Sequence, residues 1–268
     1  MMNFRAPSFQ AAGPLEQFEI SPIIPLSLGD IDVSFTNSAL WMLIGVAATA
    51  VFFFFATRGR ALVPGRVQSM AEVFYEFVFD LVRDIIGQEG RKFFPYVFTL
   101  FIWILIANLF GLIPTLPGAP HELHTFTPTS HVSVTLTLAF FTIFIVIVYG
   151  FWKNGWKFLK LFAPSGIPWP MYVILVPIEI ISFISRPFTL AIRLFANMFA
   201  GHILLKLFAG FIISLLGAAS AMKLIALIPG FGIVAITMLE LLVAVLQAYV
   251  FAVLTCIYLS DAESPEHH

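Results

Sequence analysis

The sequence predicts an all-α integral membrane protein. It reads as one N-terminal transmembrane helix, an amphipathic surface helix, a transmembrane hairpin and two long, strongly tilted, membrane-embedded C-terminal helices. Three observations carry this expectation. Of the 268 residues, 60% are hydrophobic and 11% charged, with 31 phenylalanines, whereas a soluble domain of this size carries roughly 25% charged residues. The mean hydropathy is +0.97, and the apolar residues gather in uncharged runs long enough to cross a bilayer. Beyond Lys160 the chain stays apolar almost to its end, interrupted by a few isolated ionisable groups. These figures exclude a cytosolic enzyme and a disordered or repeat protein. A net charge of −1 without a basic stripe excludes a nucleic-acid binder. The single cysteine, Cys256, lies in an apolar run, so no internal disulfide framework is expected and the thiol reads as buried and inert.

Residues 1–37 read as an outer N-terminal segment, and 38–57 as the first transmembrane helix, 20 uncharged residues for a hydrocarbon core of ~30 Å. That run starts too late, and without a basic flank, to be a signal peptide. In 66–86, Glu72, Glu76, Asp80 and Asp84 recur every four positions and form one helical face, while Phe74, Phe77, Val78, Leu81 and Ile85 cover the other. This is an amphipathic helix at the membrane surface. Its acidic face reads as solvated or as a docking face for a partner. Residues 93–118 and 132–152 are two further uncharged runs, joined by a Pro- and Gly-containing loop into a hairpin over 93–152.

Orientation follows from lysine and arginine placement. Segment 58–92 carries Arg58, Arg60, Arg66, Arg83, Arg91 and Lys92, and 153–160 carries Lys153, Lys157 and Lys160, while 113–130 has none and 1–37 only Arg5. The expectation is an outer N-terminus, inner basic segments, an outer hairpin tip and a cytoplasmic C-terminus.

The tilted helix pair covers 168–260. Residues 168–211 would form a helix of about 66 Å, twice the hydrocarbon thickness, so it either breaks at Pro177 or Pro187 or lies steeply tilted. The second element, from about residue 220 to 260, is expected to bend at Pro229-Gly230-Phe231-Gly232. On the first, Glu179, Arg186 and Arg193 are spaced by seven, and Asn197 follows four later. At 100° per residue they lie within about 40° of one another, a single polar stripe. His202 falls about 180° away from Arg193. On the second element Glu240 and Gln247 share a face.

Charges at membrane depth are costly and line pathways or water-filled cavities. Arg193 cannot deprotonate, and no carboxylate lies within one turn of it; Glu179 is about 21 Å away along the axis. It either pairs with Glu240 across the helix contact or meets its counter-charge on another chain. In the second case Glu179 on the inner side, and His202 with Glu240 on the outer side, are proton-accessible groups separated by a fixed positive barrier.

The stretch RPFTLAIRLFANMFAGH (186–202), followed by ELLVAVLQAYVFAVLTCIYLS (240–260), resembles the a subunit of F-type ATP synthases, in its alphaproteobacterial and mitochondrial form. ANLFGLIP (107–114) and FTPTS (126–130) extend the resemblance, which runs from about residue 40 to the end. It implies a stator subunit of a rotary motor, with two offset proton half-channels and two nearly horizontal C-terminal helices. Arg193 matches the family's essential arginine, which faces the carboxylates of the rotating c-ring. Asn197 and Gln247 match polar residues close to it. Glu179 matches an inner half-channel carboxylate, and His202 with Glu240 an interacting pair of the outer half-channel. The implied partners are the c-ring, the b-type subunits of the peripheral stalk, the remaining ATP synthase subunits and the lipid bilayer.

No Walker motif GxxxxGK[ST] occurs, so no nucleotide chemistry of its own is expected. No cofactor and no metal are expected. His121, Glu122, His124 and His131 have spacings a metal could use, but read more simply as a polar loop at a channel mouth. Asn108 either lines the outer channel or bonds a neighbouring helix. Lys206 and Lys223 are expected to snorkel to the interface, and His267 and His268 to sit in a solvated tail. A proton-coupled secondary transporter is the main rival, but such proteins carry related halves, and no internal repeat is visible. A purely structural subunit of a respiratory complex would not need an unpaired arginine at mid-membrane depth. A bacterial inner membrane is favoured over a mitochondrial one, because the N-terminus lacks an Arg- and Ser-rich transit segment.

Overall fold

The computed structural model describes residues 22–25, 27–28, 31–32, 34–59, 61, 63–113, 127–162, 168–217 and 222–263. Among them it departs from the all-helical expectation at the N-terminal end. Strand β1 (Pro22–Ile24) pairs antiparallel with β4 (Phe35–Thr36), and β2 (Ser27–Leu28) pairs with β3 (Ile31–Asp32) inside that pair. The local signal is a Gly29-Asp30 dipeptide between short β-branched stretches, a two-residue hairpin cue.

Helix α1 (Asn37–Arg58) starts at Thr36, whose hydroxyl accepts from the Ala39 amide at 3.3 Å. It is apolar all round and rests on the third helix through Trp41 against Phe110 and Phe53 against Phe98. Helix α2 (Arg66–Ile86) runs over the same residues as the amphipathic pattern. Ala71, Val78 and Val82 are buried; Glu72, Glu76, Asp80 and Asp84 are exposed, and so is Phe77. The chain turns at Gly87, where φ of 85° suits glycine, into a short 3₁₀ stretch, Gln88–Lys92.

Helix α3 (Phe94–Gly111) and helix α4 (Val132–Asn154) follow. α4 ends at Gly155, φ 53°, where the chain folds back as a 3₁₀ stretch, Gly155–Leu161, laying the Phe158 ring on Gly150. Helix α5 (Trp169–Leu216) is continuous for 48 residues and carries Pro177 and Pro187 inside it, so neither proline breaks it. A one-turn helix α6 (Met222–Ile225) precedes α7 (Leu227–Glu263, 37 residues).

The bend expected at residues 229–232 is not where the element is interrupted. The interruption falls at Ala226, and Pro229 sits in the first turn of α7, where a missing amide costs nothing. The Gly230 amide already donates back to the Ala226 carbonyl at 3.2 Å. Gly232 serves packing: a Cβ there would stand 2.5 Å from the Phe208 ring of α5.

Helix α7 is the centre of the bundle. α3 packs chiefly on it, and α4 packs chiefly on α5 and then on α7, rather than the two on one another as a simple hairpin would. Small residues at i, i+4 spacing, Ala244, Ala248, Ala252 and Cys256, are all fully buried and let neighbouring backbones approach closely. Among the described residues, five helical stretches are long and apolar enough to cross a membrane: Asn37–Arg58, Phe94–Gly111, Val132–Leu161, Pro170–Leu216 and Lys223–Glu263.

Candidate functional site

The polar stripe of α5 faces outward. Glu179 is half-buried, while Arg186, Arg193 and Asn197 are exposed. Arg186, Thr189 and Arg193 line an open groove of about 340 Å³, closed on its other side by Tyr249, Val250, Val253 and Leu254 of α7. Arg193 makes no ion pair among the described residues. The in-chain pair with Glu240 is therefore not formed.

Glu240 and Gln247 are buried, 6% and 4% exposed. Both Glu240 carboxylate oxygens and the Gln247 amide nitrogen lack a hydrogen-bond partner among the described residues. The Glu240 carboxylate lies directly on the Gly201 backbone of α5, in the space where any Cβ at 201 would stand. His202, the next residue, is half-buried, and its Nε2 is 3.0 Å from the Thr127 hydroxyl. α5 and α7 thus bring Glu240 beside the His202 backbone, while Arg193 occupies a separate groove toward the C-terminal half of α7.

Asn108 is fully buried and joins three elements. Its amide nitrogen donates to the Ala244 carbonyl of α7 at 3.2 Å, and its amide oxygen accepts from the Thr129 hydroxyl at 2.8 Å. Of its two sequence readings, the geometry displays the helix-bonding one. His131 stands at the N-cap of α4, and burial pushes its imidazole pKa below the ordinary range. His121, Glu122 and His124 lie outside the described residues, and no cluster of three metal-capable side chains occurs among those described. Lys206 is half-buried and Lys223 exposed; His267 and His268 lie outside the described residues.

One charged cluster was not foreseen. Glu263 lies beyond the helix pair expected over 168–260, yet its side chain is 5% exposed. It pairs with Lys92 at 2.8 Å and with Lys153, and accepts from the Tyr149 hydroxyl at 2.6 Å. Asn154 donates to the neighbouring Ala262 carbonyl at 2.6 Å. Burial alone would lower the Lys92 pKa, but the hydrogen bonds and charges of Glu263 and Tyr149 outweigh it and raise the value above the ordinary 10.5. An acid at a helix C-terminus opposes the helix dipole, a signal in the sequence that Glu263 needs cations beside it.

Comparison with known proteins agrees with the motifs. Residues 39–260 match the family described as ATP synthase A chain. A protein of Mesorhizobium japonicum called ATP synthase subunit a is 53% identical, over 95% of this chain and 97% of its own length. Proteins of the same name from Chelativorans sp. (53% identical, 96% of this chain, 100% of their own) and Hyphomonas neptunium (54% identical, 96% and 98%) are similar throughout.

Proposed function

The chain belongs to the ATP synthase A chain family, and from that premise we propose that it is the stator of a membrane-embedded rotary motor, coupling proton translocation to rotation of a c-ring and thereby to ATP synthesis. It has no catalytic activity of its own in this reading. It works within the ATP synthase complex, in a bacterial inner membrane, against a c-ring, b-type peripheral-stalk subunits and the remaining subunits.

The observation that carries the reading is Arg193. It is a permanent cation, exposed on a helix whose apolar part is hardly buried within the chain, and it has no ion-pair partner among the described residues. In lipid such a group would be costly. A ring carboxylate presented to the groove of Arg186, Thr189 and Arg193 supplies the missing anion. The protonated ring carboxylate is neutral and travels through lipid; the ionised one is attracted to Arg193, which also blocks direct leakage between the two half-channels. Glu179 serves the inner half-channel, His202 and Glu240 the outer, and Asn197 and Gln247 flank the arginine. Each proton crossing is worth about 2.3 kcal/mol per 100 mV, so several are summed for each ATP.

Two contacts support the orientation, with the N-terminus outside and the C-terminus cytoplasmic. His202 touches Thr127 at the end of the 113–130 loop, which has no lysine or arginine. The far end of α7 binds Lys92 and Lys153 of the two basic segments. The test is Arg193→Ala in the assembled complex: proton-driven ATP synthesis is lost while the complex co-purifies intact. Retained coupled synthesis overturns the reading.

A further inference from the structure

The TPTS segment at 127–130 carries a chain of hydrogen bonds that ends on His202. Thr127 is buried, 4% exposed, at the start of the 3₁₀ turn Pro128–Ser130. Its carbonyl accepts from the Ser130 amide at 2.9 Å and from the Ser130 hydroxyl at 2.7 Å, which fixes the turn. The turn is in turn fastened to the bundle: the Thr129 hydroxyl donates to Asn108 of α3, and Asn108 donates to the Ala244 carbonyl of α7. Ala244 is one helical turn from Glu240. From this fixed base the Thr127 hydroxyl reaches His202 Nε2 at 3.0 Å.

The space around this contact is also built. Gly111, the last residue of α3, lies against both partners. A Cβ there would overlap the Thr127 hydroxyl and stand 2.9 Å from His202 Nε2. Glycine at 111 therefore holds open the volume in which threonine and imidazole meet. On the other side, Glu240 rests on Gly201. The imidazole and the carboxylate are thus each set by a backbone without a side chain, and α3, the turn and α7 are bonded to one another around them.

We propose that Thr127 is a positioning residue: its hydroxyl holds the His202 imidazole, and the Thr127–Ser130 turn, fastened through Asn108, sets where that imidazole stands relative to Glu240. The inference rests on the reading of His202 as an outer proton-path group. The hydroxyl does not itself need to titrate. It fixes which way the ring points and gives Nε2 a partner in either tautomer, the orienting role that outer hydrogen-bond partners have for working histidines generally.

The test uses the whole complex in membrane vesicles, with passive proton conductance and proton-driven ATP synthesis measured alongside the amount of assembled complex. Thr127→Val keeps the shape and removes the hydroxyl; it should lower proton flux about fivefold or more, the effect of one lost hydrogen bond, without lowering assembly. Thr127→Ser restores the hydroxyl and should return flux to near the parent value. Unchanged flux in Thr127→Val, or an equal loss in both variants, overturns the proposal. His202→Ala is run in parallel. Full flux in that variant removes the outer-channel reading itself, whereas impaired flux in His202→Ala with normal flux in Thr127→Val refutes the positioning role alone.

Discussion

The buried carboxylate of Glu263 gives a prediction whose size can be worked from the structure. Glu263→Gln keeps volume and leaves an oxygen for the Tyr149 hydroxyl, but removes the charge that faces Lys92 and Lys153. Breaking a fully buried pair costs about 3–5 kcal/mol, while exposed pairs are worth about 0–1 kcal/mol. Here the acid side chain is 5% exposed and the lysines 39% and 38%, so an intermediate loss of about 2 kcal/mol is expected. The chain carries its own probe: Cys256, its single cysteine, is fully buried two turns before Glu263 on α7. If the clamp holds the end of α7, the local opening that exposes Cys256 becomes easier by the same amount. The purified complex in nanodiscs would be treated with a maleimide and the Cys256 peptide followed by mass spectrometry. The labelling rate should rise about 30-fold, since about 1.4 kcal/mol is a factor of ten. Lys157→Gln, at an exposed lysine of the same basic segment without an ion pair among the described residues, should change nothing. A rate for Glu263→Gln within about threefold of the parent would refute the reasoning.

Gly201→Ala should lower proton flux, because the new Cβ enters the volume of the Glu240 carboxylate. Helix propensity alone favours alanine by about 1 kcal/mol, so reduced flux with equal or weaker assembly shows that the contact decides, whereas parent-like flux contradicts the placement. The Lys92–Glu263 pair also makes stability depend on alkaline pH. The folded pKa of Lys92 is raised, so its contribution is complete below the unfolded lysine value, about 10.4, and is lost as pH climbs through the higher folded value. The thermal midpoint of the complex should therefore fall more steeply above about pH 10 in the parent than in Lys92→Met. Equal slopes would count against the pair.

What the sequence makes legible is what depends on local pattern. α1, α2 and α4 begin and end close to where the apolar runs and the period of the acidic face put them, because Thr36, Gly87 and Gly155 act on their own neighbours. The polar stripe of α5 and the shared face of Glu240 and Gln247 follow from helical geometry alone. The rest depends on partners distant in sequence. Glu263 lies beyond the expected helix pair, and its role shows only when Lys92, Tyr149 and Lys153 arrive from two other elements. Thr127 has no periodicity to announce it, and acquires meaning only when Gly111 and His202 are brought beside it. The proline-glycine cluster at 229–232 suggested a bend, but a first-turn proline and a glycine under a phenylalanine ring are equally good reasons for those residues. Periodicity cannot tell these apart.

The prolines of α5 bear on how the charges are arranged. Continuing through Pro177 and Pro187 forfeits two backbone hydrogen bonds, but a break would release more amides and carbonyls into surroundings without water, at several kcal/mol each. Continuity is thus the less costly course, and it has a geometric consequence. At 48 residues the helix is about 72 Å long. Confined to a bilayer of ~30 Å hydrocarbon, or ~43 Å with headgroups, it must tilt by about 53–65° from the normal. Residues along its stripe are then separated mainly sideways. At a tilt of about 60°, Glu179 and Arg193, about 21 Å apart along the axis, differ by ~10 Å in depth and ~18 Å laterally. An upright helix would stack the same residues one above another and offer a single straight route past the arginine. On the proposed reading, a helix tilted in this way sets them side by side along the ring, so that a ring carboxylate has to move laterally to pass from one to the next. In that reading, lateral displacement between the proton's entry and exit is the condition for turning its passage into rotation, and an α5 confined to the bilayer over its unbroken length would supply it.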